Sequence, residues 1–352
     1  MPDWTKSMQQ TFEYYEVDPG TWRDMRKIDN VRSCTIKRDS AAETLGSASI
    51  NVINSVGECY IRAYLVTIQN GIKERFPLGT FLVQTPSSSF DGKTRIVTMD
   101  AYTPLLELKE NPPPIGYYIK KKQNIMDIGY MLTREHTRAP VVPAKNPMKL
   151  FYDFVADTND TWLSLITDLI ANAEYKFDLD DMGRILFSPE QDAASLQPVW
   201  TFDDGNSSIL MPDFDMDHDL YGIPNVVEVI YSNSSEHYYA RVVNDDSNSP
   251  TSTVNRGREI TYTETNPDLI GDPTENRIKD YAEKLLRKLS TVEYTVNYTH
   301  GYCPVRLGDC VRLDYERAGL KDIKAVVTSQ SIKCEPGCPV TETAVFTNKL
   351  WR

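Results

Sequence analysis

Several things are missing from this chain of 352 residues. No run of about 18 apolar residues occurs, so no segment is expected to cross a membrane as a helix. The opening "MPDWTKSMQQTFEYYEV" has no basic start followed by an apolar stretch, so no secretory signal is expected. Histidine is scarce: His136, His218, His237 and His300 are the four, and none stands at a metal-ligand spacing from another. There is no GxSxG, no HExxH, no GxxxxGK and no GxGxxG, which leaves no nucleophile elbow, zinc-protease helix, phosphate loop or dinucleotide fingerprint. A basic excess is also absent. Lys and Arg total 38 against 50 Asp and Glu, giving a net charge of −12 and a pI near 4.9. Such a chain gains nothing from counterion release at phosphates, so a grip on nucleic acid is not expected, although it could enclose nucleic acid without holding it.

Six cysteines are present: Cys34, Cys59, Cys303, Cys310, Cys334 and Cys338. The spacings in "CPVRLGDC" and "CEPGC" are looser than the knuckles of a four-thiolate zinc site. They read as buried or half-buried free thiols in a chain made in a reducing cytosol.

What is there reads as β structure. Pro (21) outnumbers Gly (17), Tyr reaches 20, and short β-branched runs recur. Residues 10–18 form a first strand, followed by a connector, "PGTWRDMRKID". In "SASINVI", Ala48, Ile50 and Val52 share one face. Tyr60 to Gln69 is a strand, "QNGIKE" carries an Asn-Gly hairpin signal, and "FPLGTFLVQTP" returns. A further strand opens on Asp91-Gly92. After Pro104 the texture changes. Residues 124–135 place Ile125, Ile128, Met131 and Leu132 on one helical face. Residues 159–173 carry the stripe Trp162, Leu165, Ile166, Leu169 and Ile170, with Thr158, Asn159 or Asp160 as cap. A hairpin, "EYKFDLDDMGRILFSP", turns at Asp180–Gly183. Strands return after Pro198, interrupted by a helix at 273–289 with Asp272 as N-cap, Pro273 at the first position and Glu275 closing a capping box. The expected division is an N-terminal extension and first strand (1–30), a first β-barrel (31–104), an α/β insert (105–197) and a second β-barrel with its helix (198–352).

The stretch "PDFDMDHDL" sets Asp213, Asp215, Asp217 and Asp219 at every second position. As a calcium loop it fails, with His218 where glycine is needed and Pro224 where the terminal glutamate belongs. If extended, it puts all four aspartates on one face and Phe214, Met216 and Leu220 on the core face. Four like charges on one strand face must meet water, a cation or a basic partner. Asp178, Asp180 and Asp181 read as turn formers at a hairpin tip rather than paired catalytic carboxylates. A Cys303–His300 dyad is conceivable, but His300 reads more simply as a solvated turn residue, and His136 as a polar helix end. No catalytic residue, cofactor-binding residue or metal ligand is assigned, and the chain is not expected to be an enzyme.

The order of segments resembles the baseplate hub proteins of tailed phages and phage-like particles. These include the Mu-type and other contractile-tail hubs and related tail proteins of Gram-positive prophages. The resemblance rests on "RDSAAETLGSASINV" before a hairpin and on "DTWLSLITDLIANAEYKFDLDDMGRILFSP", a helix followed by a hairpin. It continues through "PNVVEVIYSN", "YYARVVNDDSNSPTS" and "GREI", the helix "AEKLLRKL", and the strand opening "LGDCVRL". It runs from about residue 30 to 345 and leaves out "CEPGC". The resemblance implies a mainly β fold with two small antiparallel β-barrels and an inserted α/β unit, assembled as a ring-shaped homotrimer. It implies a structural hub that adapts a six-fold tail tube to a spike or tail tip, in the tail of a virion assembled in the host bacterial cytoplasm. Its partners would be the tail tube protein, the spike or tip protein and the tape-measure protein, with DNA passing unbound. Asp213, Asp215, Asp217 and Asp219 are then candidates for an acidic channel or rim face, or equally for an outer surface. The competing reading is a tail-associated cell-wall hydrolase or carbohydrate-binding protein, with Trp162 and Trp200 as sugar-stacking candidates.

Overall fold

The computed structural model describes residues 1–53, 57–90, 92–190, 195–218, 221–232, 237–267 and 274–349. The protein is mainly β, with large antiparallel sheets and a small α/β insert. It divides into two compact units, 1–214 with 298–344, and 215–297 with 345–352.

The first unit begins with β1 (Gln9–Val17), β2 (Asp24–Lys27), β3 (Val31–Asp39), β4 (Gly46–Ile53), β5 (Tyr60–Gln69), β6 (Ile72–Phe90) and β7 (Arg95–Tyr102). The strands do not pair simply in chain order: β4 pairs with β7, and β1 with β5. β5 and β6 are joined at Asn70 and Gly71, both at positive φ (52° and 78°), the backbone that an Asn-Gly hairpin turn demands. In β4, Ala48, Ile50 and Val52 are all buried. The turn before β7 includes Asp91, which lies outside the described residues. "DMRK" is a strand that the connector reading missed. It pairs β1 through Tyr15↔Lys27 and follows a buried Trp22.

The insert is built on α1 (Leu106–Lys109), β8 (Tyr118–Ile119), α2 (Ile125–His136), β9 (Phe154–Val155), α3 (Trp162–Ala171), β10 (Tyr175–Leu179) and β11 (Ile185–Pro189). The α3 stripe is buried as its periodicity requires. Its cap, however, is Thr161, which forms a capping box with Ser164, rather than residues 158–160. Asp160 is diverted to accept from the Asp157 N–H and the Ser164 hydroxyl. On α2 the buried face is Ile125, Met126, Gly129, Leu132 and Thr133, while Met131 is exposed. The face rotates because Gly129 is the close-approach point: a Cβ there would stand 2.9 Å from Ile170 Cγ2.

The later strands of this unit are β12 (Trp200–Asp203), β13 (Leu210–His218), β17 (Thr291–Gly301), β18 (Cys310–Tyr315), β19 (Leu320–Lys333) and β20 (Pro339–Lys349); of β13, β17 and β20 it holds the parts up to Phe214, from Tyr298 and up to Ala344. One sheet runs in the order β13-β17-β20-β19-β3-β4-β7-β6-β5-β1-β2, with β18 also on β19 and β12 on β18. The early and late strand sets therefore share one ladder, joined by antiparallel pairing of β19 with β3 from Ser329↔Asp39 to Lys333↔Thr35.

The second unit holds β14 (Val226–Ser232), β15 (His237–Val243), the short α4 (Thr253–Arg256), β16 (Thr261–Thr265) and α5 (Glu275–Leu289). Its three strands run β15-β14-β16. α5 covers them, with Ile278, Ala282 and Leu286 packed on Val227, Val229 and Ala240. The N-cap of α5 is Thr274, whose Oγ1 accepts from Arg277 N–H at 3.4 Å. Asp272 and Pro273 lie outside the described residues. The capping box expected at Glu275 does not form, because the third helical residue after Thr274 is Arg277.

Candidate functional site

β13 spans Leu210–His218, as the alternation requires. Asp213, Asp215 and Asp217 are exposed, whereas Asp219 and Leu220 lie outside the described residues. Phe214 is half-buried, its ring centroid 5.7 Å from that of Tyr298 and 5.0 Å from that of Tyr315. Met216 is not a core residue: it is 45% exposed. Phe214 is the last residue of β13 that belongs to the first unit, and Met216 falls in the second. Among the described residues no three ligating side chains converge in a metal-binding group.

His300 stands in β17, fully buried, and the solvated-turn reading is corrected. Its Nδ1 donates to the Gly301 carbonyl at 2.6 Å, because a carbonyl can only accept. Its Nε2 lies 3.2 Å from Glu342 Oε1. Glu342 is also fully buried and accepts from Tyr298 Oη at 2.7 Å and Gln330 Nε2 at 2.6 Å. Burial works to raise this carboxyl, but His300, Gln330 and Tyr298 together hold it below its ordinary value of 4.5. Burial, then the Glu342 charge, pushes the Tyr298 phenol well up. The structure does bring Cys303 Sγ to 3.8 Å from His300 Nδ1. The pair is not an activated nucleophile. Burial and then Glu342 push the thiol far above its usual value, and the facing nitrogen is engaged by Gly301. The cluster is a buried polar core in which Glu342 receives two hydrogen bonds, as a buried carboxylate requires.

The hairpin tip between β10 and β11 does more than turn. Asp180 fits the expected role, accepting from Met182 N–H at 3.0 Å and Arg184 N–H at 2.8 Å. Asp181 instead pairs with Arg38 of β3 at 3.0 Å through one oxygen and with Arg306 through the other. The next carbonyl, of Met182, accepts from Trp22 Nε1 (2.8 Å), Thr80 Oγ1 (2.9 Å) and Arg62 Nη2 (3.2 Å). Arg62 is 1% exposed, and Asp24 at 2.8 Å balances its charge. Gly183 (φ +74°) is forced by contact: a Cβ would sit 2.6 Å from Thr80 Cβ. A cleft of about 180 Å³ opens beside this joint, lined among others by Lys37, Arg38, Asp178, Arg306 and Asp309. Sequence reasoning missed the joint because its partners, Arg38, Thr80 and Arg306, lie far from the tip in the chain. The one local signal was a second aspartate beyond what the turn needs.

Trp162 is buried, with His136 stacked on it at 4.0 Å and 15°, so it is closed to sugar; Trp200 is half-buried.

The fold can be placed among known structures. A tail protein from Neisseria meningitidis matches over 97% of this chain and 98% of its own, with TM-score 0.66 and 11% identity. The chain has the fold of phage tail proteins. The tail protein of prophage MuSo2 from Shewanella oneidensis matches over 95% and 98%, with TM-score 0.65 and 12% identity. A prophage tail protein from Listeria monocytogenes matches over 96% and 95%, with TM-score 0.54 and 11% identity. No model of a protein family matches the sequence, and no curated protein matches it. The tail-protein fold thus extends over nearly the whole chain, beyond the 30–345 span legible in sequence motifs.

Proposed function

We propose that this chain is a structural hub of a phage or phage-like tail: a homotrimer that adapts the tail tube to the spike or tail tip and lines the channel between them. The observation that carries the reading is the match, nearly end to end in both directions, to proteins that are themselves tail proteins. Shared fold alone does not assign function. The side-chain chemistry adds support, because burial pushes the Cys303 thiol up and the hairpin carboxylates Asp180 and Asp181 are engaged in structural contacts. In this reading 31–104 and 198–352 supply the two barrels, 105–197 the insert and 1–30 an extension. The partners are the tube protein, the spike or tip protein and the tape-measure protein, in a virion tail assembled in the host cytoplasm. The acidic chain suits a channel through which DNA must slide without being held. Asp213, Asp215, Asp217 and Asp219 are its proposed rim or lumen face.

A homotrimer also needs a contact surface, and the insert offers one. Residues 118–125 run antiparallel beside 148–155, through Tyr118↔Val155 and the Asn124↔Lys149 bridge. This ribbon exposes Tyr118, Phe151, Tyr152 and Val155. Lys120, Lys121, Lys122 and Lys149 flank them and form no ion pair among the described residues. A basic, aromatic ribbon on an otherwise acidic chain complements a second copy of that chain. Sedimentation of the purified protein tests the reading. A mass of three chains is expected, and a monomer at every concentration contradicts it.

A further inference from the structure

Cys34 and Cys334 face each other across the joint between the early and late strands. β19 pairs with β3 down to Lys333↔Thr35, so the next step of the antiparallel register sets Cys334 opposite Cys34. The ladder continues to that step, because Cys334 N–H donates to the Cys34 carbonyl at 2.9 Å. Hydrogen-bonded antiparallel pairs hold their Cα atoms about 5.5 Å apart, within the commonest range for disulfides, about 5.5–6 Å. Directly opposed residues project to one face. All six cysteines are free thiols in this structure.

We propose that Cys34 and Cys334 form a thiol–disulfide site, reduced in a reducing compartment and closed by a small-molecule disulfide in an oxidising one. Access sets the order of events. Cys34 is 3% exposed, whereas Cys334 is half-buried and takes the reagent first. The Cys334 sulfur, on losing its proton, attacks one sulfur of the reagent. The reagent's S–S bond breaks and one small thiol leaves, carrying that proton. The Cys34 sulfur then attacks the mixed disulfide at Cys334 and expels the second small thiol, which takes the Cys34 proton. Two protein thiols lose two electrons and two protons, and the reagent becomes two thiols. The bond ties β3 to the end of β19, distant in sequence, and so restricts the unfolded chain through a long loop. The site stands on the ladder geometry and does not depend on the tail reading.

The test is equilibration of the purified chain in glutathione mixtures from reducing to oxidising, followed by denaturation, alkylation and peptide mass mapping. Expected is the loss of two alkylatable thiols of the six, a cross-linked peptide pair carrying Cys34 and Cys334, and a melting temperature raised by about 4–10 °C. Dithiothreitol should reverse the rise. Cys34→Ser and Cys334→Ser should each abolish it, and Cys59→Ser should keep it. Six alkylated thiols after oxidation overturn the proposal. So does glutathione held at Cys334 alone, or a Cys334–Cys338 bond as the product. Reduced and oxidised wild type supply the comparison even where a variant fails to fold.

Discussion

Asp181 Oδ1 stands 3.0 Å from Arg38 Nη2, so the tip of an insert hairpin is fastened to a strand 143 positions earlier in the chain. Its other oxygen pairs with Arg306, on the loop before β18. Asp181→Asn leaves two guanidinium groups, that of Arg38 half-buried and that of Arg306 exposed, short of a counter-charge. The pairs are partly solvated, so the loss should be about 1–3 kcal/mol. Urea unfolding checks this, and an unchanged midpoint would show the joint to be ornamental.

Gly183 follows two residues later at φ +74°, with Thr80 against the position of its missing Cβ. Gly183→Ala therefore combines left-handed backbone strain with a clash, and should cost at least about 2 kcal/mol. Gly257 has φ +63° and nothing within 4 Å of its Cβ position. Gly257→Ala should carry the backbone cost alone, about 1 kcal/mol. Equal losses at the two sites, measured in the same denaturant series, would contradict the docking role of the tip.

Glu342 gives the fold an acid limit. Its folded-state carboxyl is held below 4.5, so its stabilising contribution is complete above that value. The contribution is lost as pH falls from 4.5 through the lower folded value, where the unfolded chain binds the proton first. Wild type should thus lose stability on acidification below 4.5. Glu342→Gln should be less stable at neutral pH and show a shallower acid slope over that window. Parallel profiles for the two proteins would remove Glu342 from the account.

The acidic strand makes a functional prediction. Replacing Asp213, Asp215, Asp217 and Asp219 by Asn removes exposed charge, at least at the first three positions, and should change stability by less than about 1 kcal/mol. Particles carrying the variant should assemble but eject DNA abnormally. Normal ejection would assign the strand to the outside of the particle.

The sequence made some features plain and concealed others for physical reasons. Asn70-Gly71 announced a hairpin because only a few residues accept that turn, and the Trp162 to Ile170 stripe announced a helix because its buried face has a 3.6-residue period. The cap of α3 was misplaced because Thr158, Asn159, Asp160 and Thr161 can all cap, and hydrogen bonds to Asp157 and Ser164 decide among them. The acidic alternation of β13 was legible, while the exposure of Met216 was not, since alternation alone does not say which face is covered. The Asp181 joint and the Cys334–Cys34 register depend on which distant strands meet, which no local pattern carries.

The most direct test of the hub reading is electron microscopy of the purified protein, averaged without imposed symmetry. The account predicts rings of three chains around an open channel, with six similar lobes. Compact particles of one chain with no central opening would contradict it.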